Sequence, residues 1–235
     1  MEPPSLSIAL RILLWIVPVY LAIVVHELSH GLAASYFGDN TARDAGRLTL
    51  NPLKHIDPVG SLVVPAVLLL LSHFIFGWAR PVPVNAGNLH KPNHDMIFVA
   101  AAGPLSNLLM SLCWAFILKA GLMLLSSSPG IALVFIYLGA AGVVINAAIM
   151  MLNLLPILPL DGGRILASLL PPHWRQRFAR TEPWGFPILM IAVIAGVAGE
   201  IVWPLMVFAM AVSTELAQVP AKALMAALSV LLGQV

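Results

Sequence analysis

Apolar residues gather along this chain into long runs separated by short polar segments. Four runs, Ile8–Phe37, Met96–Leu125, Ile131–Leu155 and Phe186–Val212, reach or exceed the roughly 20 residues that a bilayer-spanning helix needs. Two others are ambiguous. Val59–Trp78 is long enough to cross but holds Pro65 and His73, and Leu216–Val235, with Lys222 its only charge, suits either a last span or a helix lying on the surface. The pattern predicts an all-α multi-pass membrane protein with about four to six transmembrane helices.

The polar connections add two features to that outline. Arg47–Leu50 alternates like a short strand, and Pro81–Val84 suits an extended backbone, so together they predict a small β element at the membrane edge. Arg43, Arg47 and Lys54, then Arg80 and Lys91, then Arg164, Arg175, Arg177 and Arg180 are the basic residues of three loops, and short cytoplasmic loops are rich in such residues. All three loops share the cytoplasmic side only if Val59–Trp78 dips into the bilayer and returns. A re-entrant segment is therefore expected there, with its backbone covered by protein. The basic cluster at Arg175, Arg177 and Arg180 is expected to meet anionic headgroups.

Composition supports lipid as the main solvent. Hydrophobic residues make up 60% of the 235 and charged residues 9%, against the roughly 25% charged residues of an ordinary soluble domain. One integral membrane domain over residues 1–235 is expected. Ile8–Val25 leads without a small-residue cleavage site into a chemical motif, which reads as a retained helix rather than a signal peptide. The single cysteine, Cys113, excludes an intramolecular disulfide or a thiolate zinc cluster and is expected to pack. A net charge of +2 argues against a nucleic-acid partner, leaving the lipid bilayer as the evident surroundings.

One polar group interrupts the first run. His26, Glu27 and His30 form a His-Glu-x-x-His pattern on a continuous helical stretch, where spacing of four puts both imidazoles on one face to bind one zinc ion and sets Glu27 beside them as a general base. Ionisable groups inside an apolar run are costly and usually face a cavity or a partner. A catalytic zinc normally keeps three protein ligands. Asp161, after the prolines Pro156 and Pro159 that interrupt the third long run, is the best third ligand, the alternative being a turn residue ahead of Gly162 and Gly163. His55, His90, His94 and His173 lie in polar loops and read as solvated, and His73 reads as a structural or substrate-path residue.

With these residues in place the chain resembles the site-2 protease family of intramembrane zinc metalloproteases. The matching pieces are His26 to Gly31, Gly103-Pro-Leu-Ser-Asn107, and Asn153 through Arg164 with its Leu-Asp-Gly element. They cover a catalytic core from about residue 20 to 165, and the C-terminal helices of 183–235 match only as apolar segments. The resemblance implies that His26, His30 and Asp161 bind one zinc ion, that Glu27 acts as base and then acid, and that Asn107 and Asn153 hold substrate or stabilise charge. An interhelical hydrogen bond is the plainer reading for each asparagine. The substrate class implied is a membrane-spanning protein, possible strand pairing at Arg47–Leu50 or Pro81–Val84 providing selection. A bacterial inner membrane, with the site toward the cytoplasm, is the expected location. The rival function is a membrane metal-ion transporter using the same His, Glu and Asp residues.

Overall fold

A computed structural model describes residues 6–55, 57, 60 and 80–234 of the chain. Nine α-helices occur among them. These are α1 (Ile8–Tyr36), α2 (Thr41–Asp44), α3 (Pro92–Leu124), α4 (Pro129–Asn153), α5 (Asp161–Leu169), α6 (Pro172–Ala179), α7 (Glu182–Ile194), α8 (Val197–Leu216) and α9 (Ala221–Leu232). Short 3-10 turns lie at Pro52–Lys54 and Ala86–Asn88.

Four of the described helices are long and apolar enough to cross a bilayer: α1, α3, α4 and the Gly199–Leu216 part of α8. In α1 only 22% of the most apolar window is buried inside the protein, and Ile12, Leu13 and Ile16 are exposed. A soluble protein could not leave such a helix uncovered, whereas lipid solvates it. The chain is an integral membrane protein. Cys113 lies on the exposed surface of α3 instead of packing inside.

The expected Phe186–Val212 span is divided. Its first part belongs to α7, of 13 residues, and its second to α8, with the break at Gly196, whose φ of +77° no continuing helix can accept. Within the expected Leu216–Val235 run, Ala221–Leu232 forms the 12-residue α9, about 18 Å long at 1.5 Å per residue and so too short to cross the roughly 30 Å apolar layer. The expected re-entrant path at Val59–Trp78 lies, apart from Gly60, outside the described residues. No strand occurs among the described residues, so the expected β element is not seen. Pro81 and Pro83 have no N–H to give to a ladder.

Contacts divide the chain into two compact units. One comprises Met1–Ala22, Leu105–Leu152 and Ile201–Val235, the other Ile23–Pro104 and Asn153–Glu200. The first is held by an apolar core that includes Trp114, Leu118, Ile136, Tyr137, Met210 and Leu228. There α3 and α4 approach so closely that a Cβ on Gly142 would sit 2.1 Å from the Trp114 ring and one on Gly139 2.6 Å from the Leu118 backbone nitrogen. Small residues allow this in lipid, where dispersion contacts must replace the missing hydrophobic drive. Buried amides join the same unit: Asn107 donates through Nδ2 to the Ala22 carbonyl (3.1 Å) and to Asn146 Oδ1 (2.9 Å), and Asn146 donates to the Gly142 carbonyl (2.9 Å).

The second unit is richer in polar loops. Ala34, Leu89 and Val99 form a small buried cluster with Phe37, Val84 and Met96 against it. Asp39, directly after α1, accepts from the Thr41 and Asn85 backbone amides, the Thr41 hydroxyl and the Asn88 side chain. These bonds fasten the 85–88 turn to the end of the helix that carries the chemical motif.

Candidate metal centre

The metal-ligand set lies within the second unit and uses three local structures. Along α1 the four-residue spacing brings His26 and His30 onto one face, with their Nε2 atoms 3.1 Å apart. The third member comes from the break after α4. Pro156 and Pro159 lie in an irregular turn from Leu154 to Leu160, and α5 begins at Asp161. Gly162 and Gly163 let this helix start seat on that turn, since a Cβ would stand 2.2 Å from the Leu154 oxygen or 2.5 Å from the Ile157 carbonyl carbon.

The Asp161 carboxylate then stands 3.2 Å from His26 Nε2 through Oδ2 and 3.3 Å from His30 Nε2 through Oδ1. His26, His30 and Asp161 are the one metal-ligating group of this kind among the described residues. His26 and Asp161 are buried and His30 is half-buried.

Both the distances and the polarity fit a zinc ion. Four ligands arranged tetrahedrally at about 2.0–2.1 Å stand about 3.3 Å from one another, close to the observed separations. Asp161 Oδ2 is buried without a directed hydrogen bond, although it is within ion-pair distance of His26. Burial by itself would raise the Asp161 carboxyl, but the two imidazoles opposite more than offset it and hold it at about 2. The group therefore stays anionic. His30 Nδ1 lies 2.7 Å from the Val99 carbonyl, which can only accept, so Nδ1 carries a proton, and in the neutral ring that a metal requires Nε2 is then the nitrogen with the lone pair.

Helix α3 completes the cradle. One turn after Val99, Gly103 lies against the two rings, and a Cβ there would be 2.4 Å from His30 Nε2 and 2.6 Å from His26 Cε1. The residue type is set by the imidazoles it faces. Glu27, half-buried on α1 beside His26, accepts a hydrogen bond from the Val82 backbone N–H at 2.8 Å through Oε2.

The structure distributes the remaining candidates differently. Asn107 is fully buried in the first unit, with both Nδ2 contacts described above used between helices. Asn153 is half-buried at the end of α4, in the second unit, and also has bonding or electrostatic contacts. His90, His94 and His173 are exposed as expected, although His94 and His173 lie in the first turns of α3 and α6 instead of in loops. His55 is not: it is buried, with Nε2 2.8 Å from the Thr49 carbonyl. Arg175 is likewise turned from a free surface role, donating to the Ala167 and Leu170 carbonyls at the end of α5 and to Asn93. Sequence reasoning missed the Val82 contact and the histidine-facing role of Gly103.

A helical membrane protein with a His/His/Asp group able to hold a metal ion is the class that this fold and site define. The chain is 36% identical over 196 residues to "Putative zinc metalloprotease YwhC" of Bacillus subtilis (strain 168), covering 81% of this chain and 84% of that protein. It is 30% identical over 179 residues to "Putative zinc metalloprotease Rip2" of Mycolicibacterium smegmatis, covering 74% of this chain and 64% of that longer relative. The chain belongs to this family of zinc metalloproteases. No protein-family profile matches it, and no solved structure matches it.

Proposed function

We propose that the protein is a site-2 protease, an intramembrane zinc metalloprotease that hydrolyses peptide bonds of membrane-spanning proteins. The observation that carries this reading is the convergence, at 3.1–3.3 Å, of the Asp161 carboxylate with His26 Nε2 and His30 Nε2, the two histidines lying on the helix that bears Glu27. His26, His30 and Asp161 would hold one zinc ion, which would supply Lewis acidity and make water a stronger nucleophile near neutral pH.

The chain's own groups do the rest. Glu27 takes a proton from the attacking water as its oxygen bonds to the carbonyl carbon, then gives a proton to the leaving amine nitrogen as the C–N bond breaks. His30 keeps its ring orientation by donating Nδ1–H to Val99. A helical substrate must unwind first, because its carbonyls are hydrogen-bonded along the helix. Asn153, at the end of α4 where the regular backbone stops, is the proposed substrate contact. For Asn107 the interhelical bonds favour a packing role.

Loops rich in arginine and lysine support a site opening toward the cytoplasm, and the bacterial relatives support an inner membrane. Strand pairing with substrate at Pro81–Val84 has few donors to use. The two prolines have none, and the Val82 N–H is given to Glu27.

Wild type and Glu27→Gln, purified whole in detergent, provide the test. Equal bound zinc with at least about a thousandfold slower cleavage of a synthetic transmembrane peptide is expected, consistent with loss of general-base and positioning contributions. Equal cleavage by both would overturn the reading. So would zinc movement across liposomes that persists in Glu27→Gln.

A further inference from the structure

Between the 52–54 turn and α3, the chain from Arg80 to Asn85 passes over the helix that holds Glu27. Three features make that passage specific. Pro81 and Pro83 lack an N–H, fix their own φ and confine the residue before each to extended geometry, so Val82 offers the one amide between them. That amide donates to Glu27 Oε2 at 2.8 Å. Its side chain is buried near Gly31, whose missing Cβ would otherwise lie 3.0 Å from Val82 Cγ1.

Buried charges hold the two ends. Arg47 is 8% exposed and donates through one terminal nitrogen to the Arg80 carbonyl at 2.9 Å and the Pro81 carbonyl at 3.4 Å. The Arg80 amide in turn donates to the His55 carbonyl at 2.8 Å. At the other end the Asn85 amide donates to Asp39 Oδ2 at 2.6 Å, and Asp39 is fully buried. Burying an arginine and an aspartate is expensive unless their hydrogen bonds are fixed in place. Both of these Arg47 bonds, and one of the four made to Asp39, go to the backbone of residues 80–85, while Thr41 and Asn88 supply the other three to Asp39.

We propose that residues 80–85 form a strap that aims the Glu27 carboxylate through the Val82 amide, with Arg47 and Asp39 as the positioning residues that hold the strap. With one lone pair of Oε2 held by the amide, Oε1 is the oxygen with both lone pairs outside that bond and is the one assigned to take and return the proton. This role rests on the reading of Glu27 as the general base. The hydrogen-bonded geometry does not. Neither Arg47 nor Asp39 is a metal ligand, and each acts on the reaction through the strap.

Two measurements on the full-length, zinc-loaded protein separate the geometry from the role. In hydrogen exchange, a fragment covering 81–84 reports only Val82 and Val84, because prolines have no amide proton. Val82 is expected to exchange at least about tenfold faster in Glu27→Ala, Arg47→Gln and Asp39→Ala than in wild type, as local protection is lost. Unchanged exchange in Glu27→Ala would overturn the strap itself.

In turnover of the synthetic transmembrane peptide, Val82→Pro and Arg47→Gln should lower kcat about 10- to 100-fold, the scale of a misplaced catalytic group, with KM within about threefold of wild type. Zinc content should stay at the wild-type value, and Arg47→Lys should restore part of kcat because an ammonium can still donate to the Arg80 carbonyl. Val82→Pro inserts a residue into a stretch already bounded by prolines and serves where an arginine variant fails to fold. Unchanged kcat in Val82→Pro with accelerated exchange in Glu27→Ala would overturn the positioning role. A kcat loss that follows zinc loss in every variant would do the same. Full turnover by Glu27→Gln would instead sink the protease reading and leave the exchange result standing.

Discussion

Two buried polar groups, one in each unit, differ in how their hydrogen bonds close. In the first unit Asn107 gives Nδ2 hydrogens to Ala22 and Asn146, Asn146 gives one to Gly142, and Ser111 gives its hydroxyl to Val143. Donors meet acceptors, and neutral side chains act as interhelical connections. In the second unit two imidazole nitrogens and a carboxylate face one another, one carboxylate oxygen has no directed donor, and the His30 proton points away to Val99. With both rings neutral and their Nε2 lone pairs turned inward, such a set is poor glue and a good cation site. Burial alone does not separate the two groups. The direction of their protons does.

Removing a ligand should break that contrast most strongly. Asp161→Ala is expected to weaken zinc binding by well over about a hundredfold, because changes to groups merely supporting a ligand already cost about 10- to 100-fold. Asn107→Leu should leave zinc content unchanged. Metal analysis after competition with a chelator checks both, and full zinc retention by Asp161→Ala would remove the metal centre from the comparison.

A smaller effect is expected from the glycine beneath the rings. Gly103→Ala forces a methyl into the space of His30 Nε2 and His26 Cε1 and should lower zinc affinity about 10- to 100-fold. Alanine is the better helix former by about 1 kcal/mol, so helix stability pushes the other way. A metal-free thermal midpoint at or above wild type, combined with weaker zinc binding, would assign the effect to the rings. Unaltered affinity would show that they can move aside.

The same distinction explains what the amino-acid sequence made legible. His26 and His30 were found from spacing, because four residues along a helix set their geometry locally. Asp161 is 131 residues beyond His30, counting from 30 to 161, yet prolines and paired glycines marked where regular helix would stop and let a carboxylate turn. Four apolar helices followed from hydropathy, but the division at Gly196 did not, because hydropathy carries no φ. Likewise Pro81-Val-Pro83-Val84 announced an extended backbone without saying that its one central amide faces Glu27. Arg47, His55 and Arg175 had the composition of loop surface and turned inward to carbonyls. Such contacts join segments far apart in sequence and leave no period in it.

On the amide side, a double-mutant cycle sharpens the comparison at the scale of single hydrogen bonds. Asn107→Leu or Asn146→Leu alone leaves a buried partner unpaired and should cost about 1–2 kcal/mol, while the double variant should cost less than the sum by about 0.6–1.7 kcal/mol. Reversible unfolding in detergent reads the coupling. Strict additivity would mean that the 2.9 Å contact adds nothing to the unit's stability.

The smallest effect at neutral pH concerns Asp39, a third buried polar residue, which is charged yet closed like the amides. Burial tends to raise its carboxyl, but donors from Thr41, Asn88 and Asn85 outweigh that and hold it below the ordinary carboxylate value. The unfolded carboxyl, near about 3.9, therefore binds a proton more readily than the folded one. Its stabilising contribution is present in full above that value and is lost as pH falls through the lowered folded one. Exchange protection of residues 85–88, taken relative to an unfolded reference at each pH, should thus be flat from about pH 6 to 8 and fall below about pH 4. Asp39→Asn should start lower and lose this acid step, since an amide does not titrate in that range. An acid step of equal size in the variant would assign it to another carboxyl, such as the buried Asp95, which accepts from the Lys91 amide.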